Sequence, residues 1–184
     1  LGGLTPSYAS FKAYLGGGGG GGYKDNGLNA TAGSNGGGMV FLTSPTINGN
    51  NFTVDARGAN VIGNTDSEGA GGGGAGGYVH YMCSYTSSTI NLDLRGGSGG
   101  NIFSTLWSSA CHGPGGGGGG GAVSYQQGVI PANVTNLLAG GNPGMVLHTG
   151  PACAGTPHGA TAGAAGIQVF NYPVPAAPIL PNLG

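Results

Sequence analysis

Residues 112–123 read HGPGGGGGGGAV, and the seven consecutive glycines in this stretch decide which folds are open to the chain. A second run of seven occupies residues 16–22. Glycine loses more conformational entropy on ordering than any other residue, so an ordered run must be held by many hydrogen bonds. A flexible linker avoids that loss. A polyglycine II helix, with three residues per turn and a rise of ~3.1 Å, instead directs its N–H and C=O groups to neighbouring chains.

The glycine-rich stretches are spaced regularly, which favours the ordered alternative. A glycine precedes a valine by ten residues at Val79, Val123 and Val169, and a weaker copy ends at Val40. The successive valines are 39, 44 and 46 residues apart. A constant glycine-rich segment followed by loops of variable length is typical of a repeat architecture. We therefore predict that four glycine-rich decamers and residues 16–22 pack side by side as polyglycine II rods.

Short alternating apolar segments follow the decamers and predict β-strands. First strands are predicted at residues 39–42, 78–82, 122–125 and 168–172, and second strands at 51–58, 89–96 and 133–140. Val54, Leu92 and Asn136 take the same place in successive second strands. The predicted fold class is all-β or irregular: a polyglycine II helix bundle packed with short β-strands, in a repeat, solenoid-like architecture without significant α-helix.

The repeats predict a single glycine-rich module over residues 1–172. Its repeat units lie at about 30–68, 69–112, 113–158 and 159–172. Residues 173–184 carry four prolines and are predicted to form an extended linker or an arm that reaches a neighbouring subunit.

The composition argues against several classes of partner. Charged residues make up 5% of the chain and the formal net charge is −1. The four basic residues are not clustered, so no surface is predicted to neutralise the phosphates of a nucleic acid. No apolar run is long enough for a transmembrane helix, and no membrane insertion is predicted. The basic residues are Lys12, Lys24, Arg57 and Arg95.

Cysteine and histidine are the residues most typical of a site. Cys111 and Cys153 fall in successive loops, which allows a disulfide, and Cys83–Cys111 is the competing pair. A disulfide indicates an oxidising, extracellular setting. Together with His112 and His158 the two loop cysteines could hold zinc, but the spacing lacks the C-x2-C pattern of zinc sites. We predict no metal site and no cofactor, and we interpret His112 and His158, like Glu68, as polar residues where loops enter the bundle.

Acidic residues recur at one repeat position and predict a structural ladder. Asp55 and Asp93 occupy equivalent strand positions, and Arg57 and Arg95 each follow two residues later. Paired carboxylates can serve acid–base catalysis. Recurrence in a repeat favours a cross-strand Asp–Arg ladder instead. We predict no catalytic residues and no enzymatic activity.

Apolar residues in two loops have two interpretations. They form either a satellite core that caps the bundle or a surface that contacts a partner, since variable loops on a rigid scaffold often carry binding. The partner would be a surface glycan, a protein receptor, a neighbouring module or a second copy. The residues are Ile102, Phe103, Leu106, Trp107, Met145, Val146 and Leu147.

The stretch from Glu68 to Tyr125, EGAGGGGAGGYVHY … INLDLRGGSGGN … CHGPGGGGGGGAVSY, resembles glycine-rich repeat domains of large secreted surface proteins, including gliding-type and other adhesins that Bacteroidetes export by the type IX pathway. This resemblance implies an extracellular structural or adhesive role and carries over no catalytic residue. The alternation of glycine segments and variable loops is also similar in principle to phage tail-tip adhesins, in which loops between polyglycine II rods bind the host receptor. We therefore expect a structural module of a cell-surface fibre, filament or adhesin, or alternatively a receptor-binding tip.

Overall fold

The computed structural model describes residues 12–25, 29–66, 68–104, 109 and 111–173. Leu106, Trp107 and the proline-rich tail beyond Pro173 lie outside these residues. The described residues contain nine β-strands and no helix, which confirms the all-β or irregular class. This part of the chain therefore offers no helix that could cross a membrane.

The nine strands are short and are separated by glycine-rich segments. In chain order they are β1 (Met39–Asn48), β2 (Thr53–Asp55), β3 (Asn64–Thr65), β4 (Tyr78–Ser88), β5 (Ile90–Asp93), β6 (Asn101–Ile102), β7 (Ala122–Tyr125), β8 (Val134–Leu137) and β9 (Ile167–Val169). The predicted second strands are correct in place but too long by several residues. β1 and β4 extend beyond their predicted ends and pair with each other over most of that length.

Every named strand pairs in parallel with the matching strand of another repeat. The sheet orders are β1-β4-β7-β9, β2-β5-β8 and β3-β6. Val40 lies beside Val79, and Val79 lies beside Val123, as the valine spacing predicts. The predicted register of the second strands is also confirmed at Val54, Leu92 and Asn136.

The main apolar core contains residues from the four-stranded and the three-stranded sheets. Val79 and Tyr81 of β4 belong to it together with Leu92 of β5, and all three are at most 1% exposed. Tyr125 of β7 is fully buried there and donates a hydrogen bond from its hydroxyl to Asn136 Oδ1 at 2.6 Å. That bond explains how a polar residue takes an inward position in β8.

The glycine-rich segments are held to one another by backbone hydrogen bonds with a period of three residues. In the second glycine segment (69–77), three consecutive amides donate to three different neighbours. Gly72 N–H bonds Gly20, Gly73 N–H bonds the third glycine segment (113–121), and Gly74 N–H bonds Ala59, with N–O distances of 2.9 to 3.0 Å. The bonds of Gly73 recur at every third residue along both segments: Ala70, Gly73 and Gly76 donate to Gly113, Gly116 and Gly119.

The hydrogen bonds arrange these segments in three layers. The middle layer holds four parallel glycine segments, at residues 29–38, 69–77, 113–121 and 159–166. Three antiparallel segments (56–62, 94–100 and 138–144), which we call return segments, bond one side of this layer. The N-terminal glycine segment (16–22) bonds the first and second glycine segments and has no bond to a return segment. The sequence pattern misassigned the return segments to loops and strand ends.

Close approach of these backbones makes glycine obligatory at central positions. A Cβ atom on Gly97 would overlap the Ala59 carbonyl group, and a Cβ on Gly118 would overlap that of Gly74. Gly118 also donates to the Gly97 oxygen at 2.8 Å, so the middle layer and the return segments are joined through residues that admit no side chain.

The valine spacing is wrong by one residue in the fourth repeat. It predicts that Val169 lies beside Val123, but Val123 pairs with Gln168 instead. The reason lies in the glycine segments rather than in the strands. Gly163 stands where a Cβ would overlap the Gly118 carbonyl group, and the valine register would put Ala164 in that place. Glycine spacing therefore sets the register.

Candidate functional site

A polar groove of about 660 Å³ lies beside the return segments. Its lining comes from equivalent positions of successive repeats and includes no large apolar side chain. The polar side chains in it are Asp55, Arg57, Asn60, Arg95, Ser98 and Asn142. In an alignment of the repeats Asn60, Ser98 and Asn142 share one position, three residues after Arg57, Arg95 and Ala139, and this recurrence is the signal in the sequence that marks the groove.

The Asp–Arg residues form the predicted ladder, although its shortest bonds lie within each repeat. Asp55 and Arg57 approach to 2.7 Å, and so do Asp93 and Arg95. The cross-strand bridge, from Arg57 Nε to Asp93 Oδ2, measures 3.7 Å. Asp93 has a nearly buried side chain, 6% exposed, whereas that of Asp55 is 50% exposed. Asp93 is therefore the central charge of the ladder.

Both carboxyl groups are held in the charged form. Burial raises the pKa of Asp93, but hydrogen bonds from Arg95 and the positive charges of Arg95 and Arg57 outweigh it, so the net pKa is below its usual value. The side-chain hydrogen bond from Arg57 is the main cause that lowers the pKa of Asp55. A carboxyl group that stays ionised beside an arginine is suited to a structural bridge rather than to proton transfer.

We expect Asp93→Asn to lower the free energy of unfolding at pH 7 by about 2 kcal/mol, because a nearly buried, charge-assisted hydrogen-bond pair is lost. The folded-state pKa of Asp93 lies below the unfolded value of about 3.9. Its stabilisation is thus complete above that pH and is lost as pH falls through the folded pKa. Urea unfolding should show a lower free energy of unfolding for Asp93→Asn than for the wild type at pH 7, and nearly equal values for the two proteins in acid.

Asp55→Asn is the matched control for this prediction. Its carboxylate makes the same bidentate contact with an arginine but is half exposed. The expected loss is below about 1 kcal/mol, as is usual for surface ion pairs. Equal losses in the two variants, or an unchanged acid dependence in Asp93→Asn, would contradict the central role of Asp93.

The structure joins Cys111 and Cys153 in a disulfide, the first of the two pairings considered from the sequence. Cys83, the other candidate, is a buried free thiol. His158 places a ring nitrogen within 4.8 Å of both bonded sulfurs, whereas His112 does not belong to this group. Because the disulfide uses both sulfurs, His158 is the one group of the three left with a ligand atom while the bond is intact.

Two of the predicted partner-contact residues are core residues instead. Ile102 and Val146 are fully buried and lie beside each other as a parallel bridge. With Cys153 they form a second, smaller apolar cluster, so the satellite-core interpretation is correct for them and the contact-surface interpretation is wrong. The extended backbone turns alternate side chains inward, which loop composition does not reveal.

Their neighbours are more exposed. Phe103 and Leu147 follow Ile102 and Val146 directly, and each is 46% exposed. Met145 is partly buried. Phe103 and Leu147 are therefore the exposed residues of the predicted contact surface within the part of the chain that the structure describes.

A buried histidine and serine are close together, although no local pattern in the sequence indicates it. His80 Nδ1 lies 2.6 Å from Ser124 Oγ, which also contacts the Tyr78 hydroxyl at 2.5 Å. Burial lowers the pKa of His80. Ser124 is fully buried and His80 is 6% exposed, with Tyr172 packed edge-on against the imidazole at 4.7 Å. The two side chains are too deeply buried for a substrate to reach them. They satisfy each other's hydrogen-bonding groups, together with the Tyr78 hydroxyl, between β4 and β7.

No family model matches the chain, and no curated protein or solved structure matches it either. The site must therefore be interpreted from its own geometry. That geometry combines a backbone bundle joined by hydrogen bonds, a polar ladder, one disulfide and two exposed apolar side chains.

Proposed function

We propose that the chain is an extracellular structural module of a cell-surface fibre, filament or adhesin. Its repeats would form a solenoid-like stack stabilised by polyglycine II packing. The single observation that carries the proposal is the three-residue period of hydrogen bonds, by which the second glycine segment bonds a different neighbour with each successive amide. Three residues per turn with no internal hydrogen bond is the geometry of this helix type.

Such a bundle is suited to a mechanical role. Its rigidity comes from main-chain bonds in three layers, and its surface carries few charges. The polar groove has no apolar wall to bury a small ligand, which is what most ligand pockets use. The disulfide between Cys111 and Cys153 supports placement in an oxidising compartment.

A second candidate function is a receptor-binding tip, in which loops on the bundle contact a surface glycan or a protein. The exposed Phe103 and Leu147 favour it, because each directly follows a residue of the buried Ile102–Val146 bridge and turns an apolar side chain to the surface. With Ile102 and Val146 buried, the apolar part of this surface is small within the described residues.

Immunogold electron microscopy with an antibody against the folded module tests both candidates in cells that produce the protein. We expect label on the outside of intact cells and repeated along fibres. Label restricted to fibre ends would favour the tip, and label restricted to the cytoplasm would contradict both. Thiol alkylation of the same material should leave Cys111 and Cys153 unmodified, as a disulfide requires.

A further inference from the structure

The N-terminal glycine segment fills a groove between the first and second glycine segments, and its bonds there define what such a groove requires. Two amides of the second segment donate into the groove, and three carbonyl oxygens of the first segment accept from it. The donors are Gly72 and Ala75, which bond Gly20 and Gly17; the acceptors are Thr31, Ser34 and Gly37, which bond Gly22, Gly19 and Gly16.

The next groove, between the second and third glycine segments, presents the same set of groups in the same places. The carbonyl oxygens and amides that line this groove make no backbone hydrogen bond to any residue that the structure describes. The acceptors are the carbonyl oxygens of Ala70, Gly73 and Gly76, and the donors are the amides of Gly116 and Gly119. A third groove, between the third and fourth segments, repeats the pattern with Pro114, Gly117 and Gly120 as acceptors and Thr161 and Ala164 as donors.

The outer face of the N-terminal segment carries glycines that the packing of a single chain does not require. Gly16, Gly19 and Gly22 are required, because a Cβ at each would overlap a carbonyl group of the second segment. Gly17 and Gly20 have open space instead, with no atom within 4 Å of a Cβ placed there, and both are exposed. The packing within one chain therefore does not explain why these positions are glycine.

Backbone of another molecule packed closely on this face would explain both the unpaired groups of the open grooves and the exposed glycines at positions 17 and 20. We propose that a second copy of the chain packs on this face, with the N-terminal glycine segment of each molecule lying in an open groove of the other. A twofold axis parallel to the segments keeps the incoming segment antiparallel to the glycine segments, as in the occupied groove. Gly17 and Gly20 of each segment then face the partner, where a side chain has no room.

The segment that enters an open groove must be a run of glycines, because backbone packs closely against it on every side and leaves no room for side chains. The chain has two runs of seven glycines. The run at 115–121 lies in the middle layer and bonds both adjacent glycine segments and two return segments, so it is held in place within its own chain. The run at 16–22 is bonded on one side and exposed on the other, and it is the segment that a second copy can offer.

This inference deepens the proposed function and rests on its polyglycine II bundle. Sedimentation velocity over a wide range of protein concentration should show a reversible change from 17.6 kDa to twice that mass. Gly20→Val places a side chain on the covered face but in open space within one chain. We expect it to shift dimerisation to at least about tenfold higher concentration, because close backbone packing tolerates no added volume, while the urea midpoint of the monomer stays unchanged.

Gly38→Val is the matched control. It also has no atom within 4 Å of its Cβ, but it belongs to the first glycine segment, away from the open grooves. This variant should dimerise like the wild type. A wild-type protein that stays monomeric at its highest attainable concentration, a complex larger than a dimer, or equal dimerisation of Gly20→Val and the wild type would overturn the interface.

Site-resolved amide exchange separates a wrong interface from a wrong bundle. Gly73 and Gly118 donate hydrogen bonds within one chain, so their amides should be protected at every concentration. Those of Gly116 and Gly119 should become protected only in the dimer. Protection of the first pair without any concentration effect on the second would overturn the dimer and leave the bundle intact. Fast exchange at all four would remove the basis of both.

Discussion

Gly118→Ala is expected to lower the free energy of unfolding by about 3 kcal/mol, the upper part of the range for overpacked interiors. The added Cβ would overlap the Gly74 carbonyl group, and this contact is with backbone that is itself bonded into the bundle. Alanine also reduces the entropy of the unfolded chain, which offsets about 0.4–1 kcal/mol at most. Equilibrium unfolding in urea measures the difference.

Gly119→Ala is the control next to it in the same run of glycines. The atom nearest to a Cβ there is the Ala164 oxygen, at an ordinary contact distance of 3.7 Å. Only the entropy of the unfolded chain then changes, so monomeric Gly119→Ala should be equal to the wild type or slightly more stable. If the two alanines had the same effect, the segments would not be packed as closely as the structure shows.

Removal of the disulfide is the other large effect. The bond joins residues 42 positions apart, and closing a loop of that length removes about 4 kcal/mol of unfolded-state entropy in the chain-entropy account. We expect the double variant Cys111→Ser/Cys153→Ser to lose about that amount in urea unfolding. Cys153 lies in the small core with Ile102 and Val146, so the loss should extend to that cluster.

Reducing agent gives the matching control. It should destabilise the wild type by a similar amount and leave the double variant unchanged, because the variant has no bond to reduce. Cys83 remains free in both proteins. If the reduced and oxidised wild-type proteins unfold at the same urea concentration, the loop between Cys111 and Cys153 is already constrained by other contacts.

The strand positions and most of the register could be predicted because two signals agreed. Alternating apolar residues mark the strands, and the spacing to the preceding glycines repeats, so Val40, Val79 and Val123 align correctly. In the fourth repeat the two signals disagree, and the spacing of the glycines determines the strand register. A misplaced Cβ at Gly163 overlaps backbone, whereas Gln168 in place of a valine changes only a partly exposed edge strand.

The return segments and the buried loop residues could not be predicted from local patterns. Residues 56–62 contain a single glycine, because most of their side chains point away from the bundle. Gly58 is the position where a Cβ would overlap Gly74, and a single required glycine gives no periodic signal. Burial of Ile102 and Val146 depends on a pairing between repeats that neither loop specifies alone.

The three-layer bundle has a consequence for how stability changes with temperature. Exposure of apolar surface on unfolding raises the heat capacity, whereas exposure of polar surface, including peptide groups, lowers it. Much of the interior here is peptide backbone packed against peptide backbone, as at Gly74, Gly97 and Gly118. Unfolding should therefore produce a smaller heat-capacity increase per residue than the usual ~12–15 cal/mol/K. The stability curve is then flatter, and the module keeps most of its stability in the cold, where proteins held by apolar cores weaken.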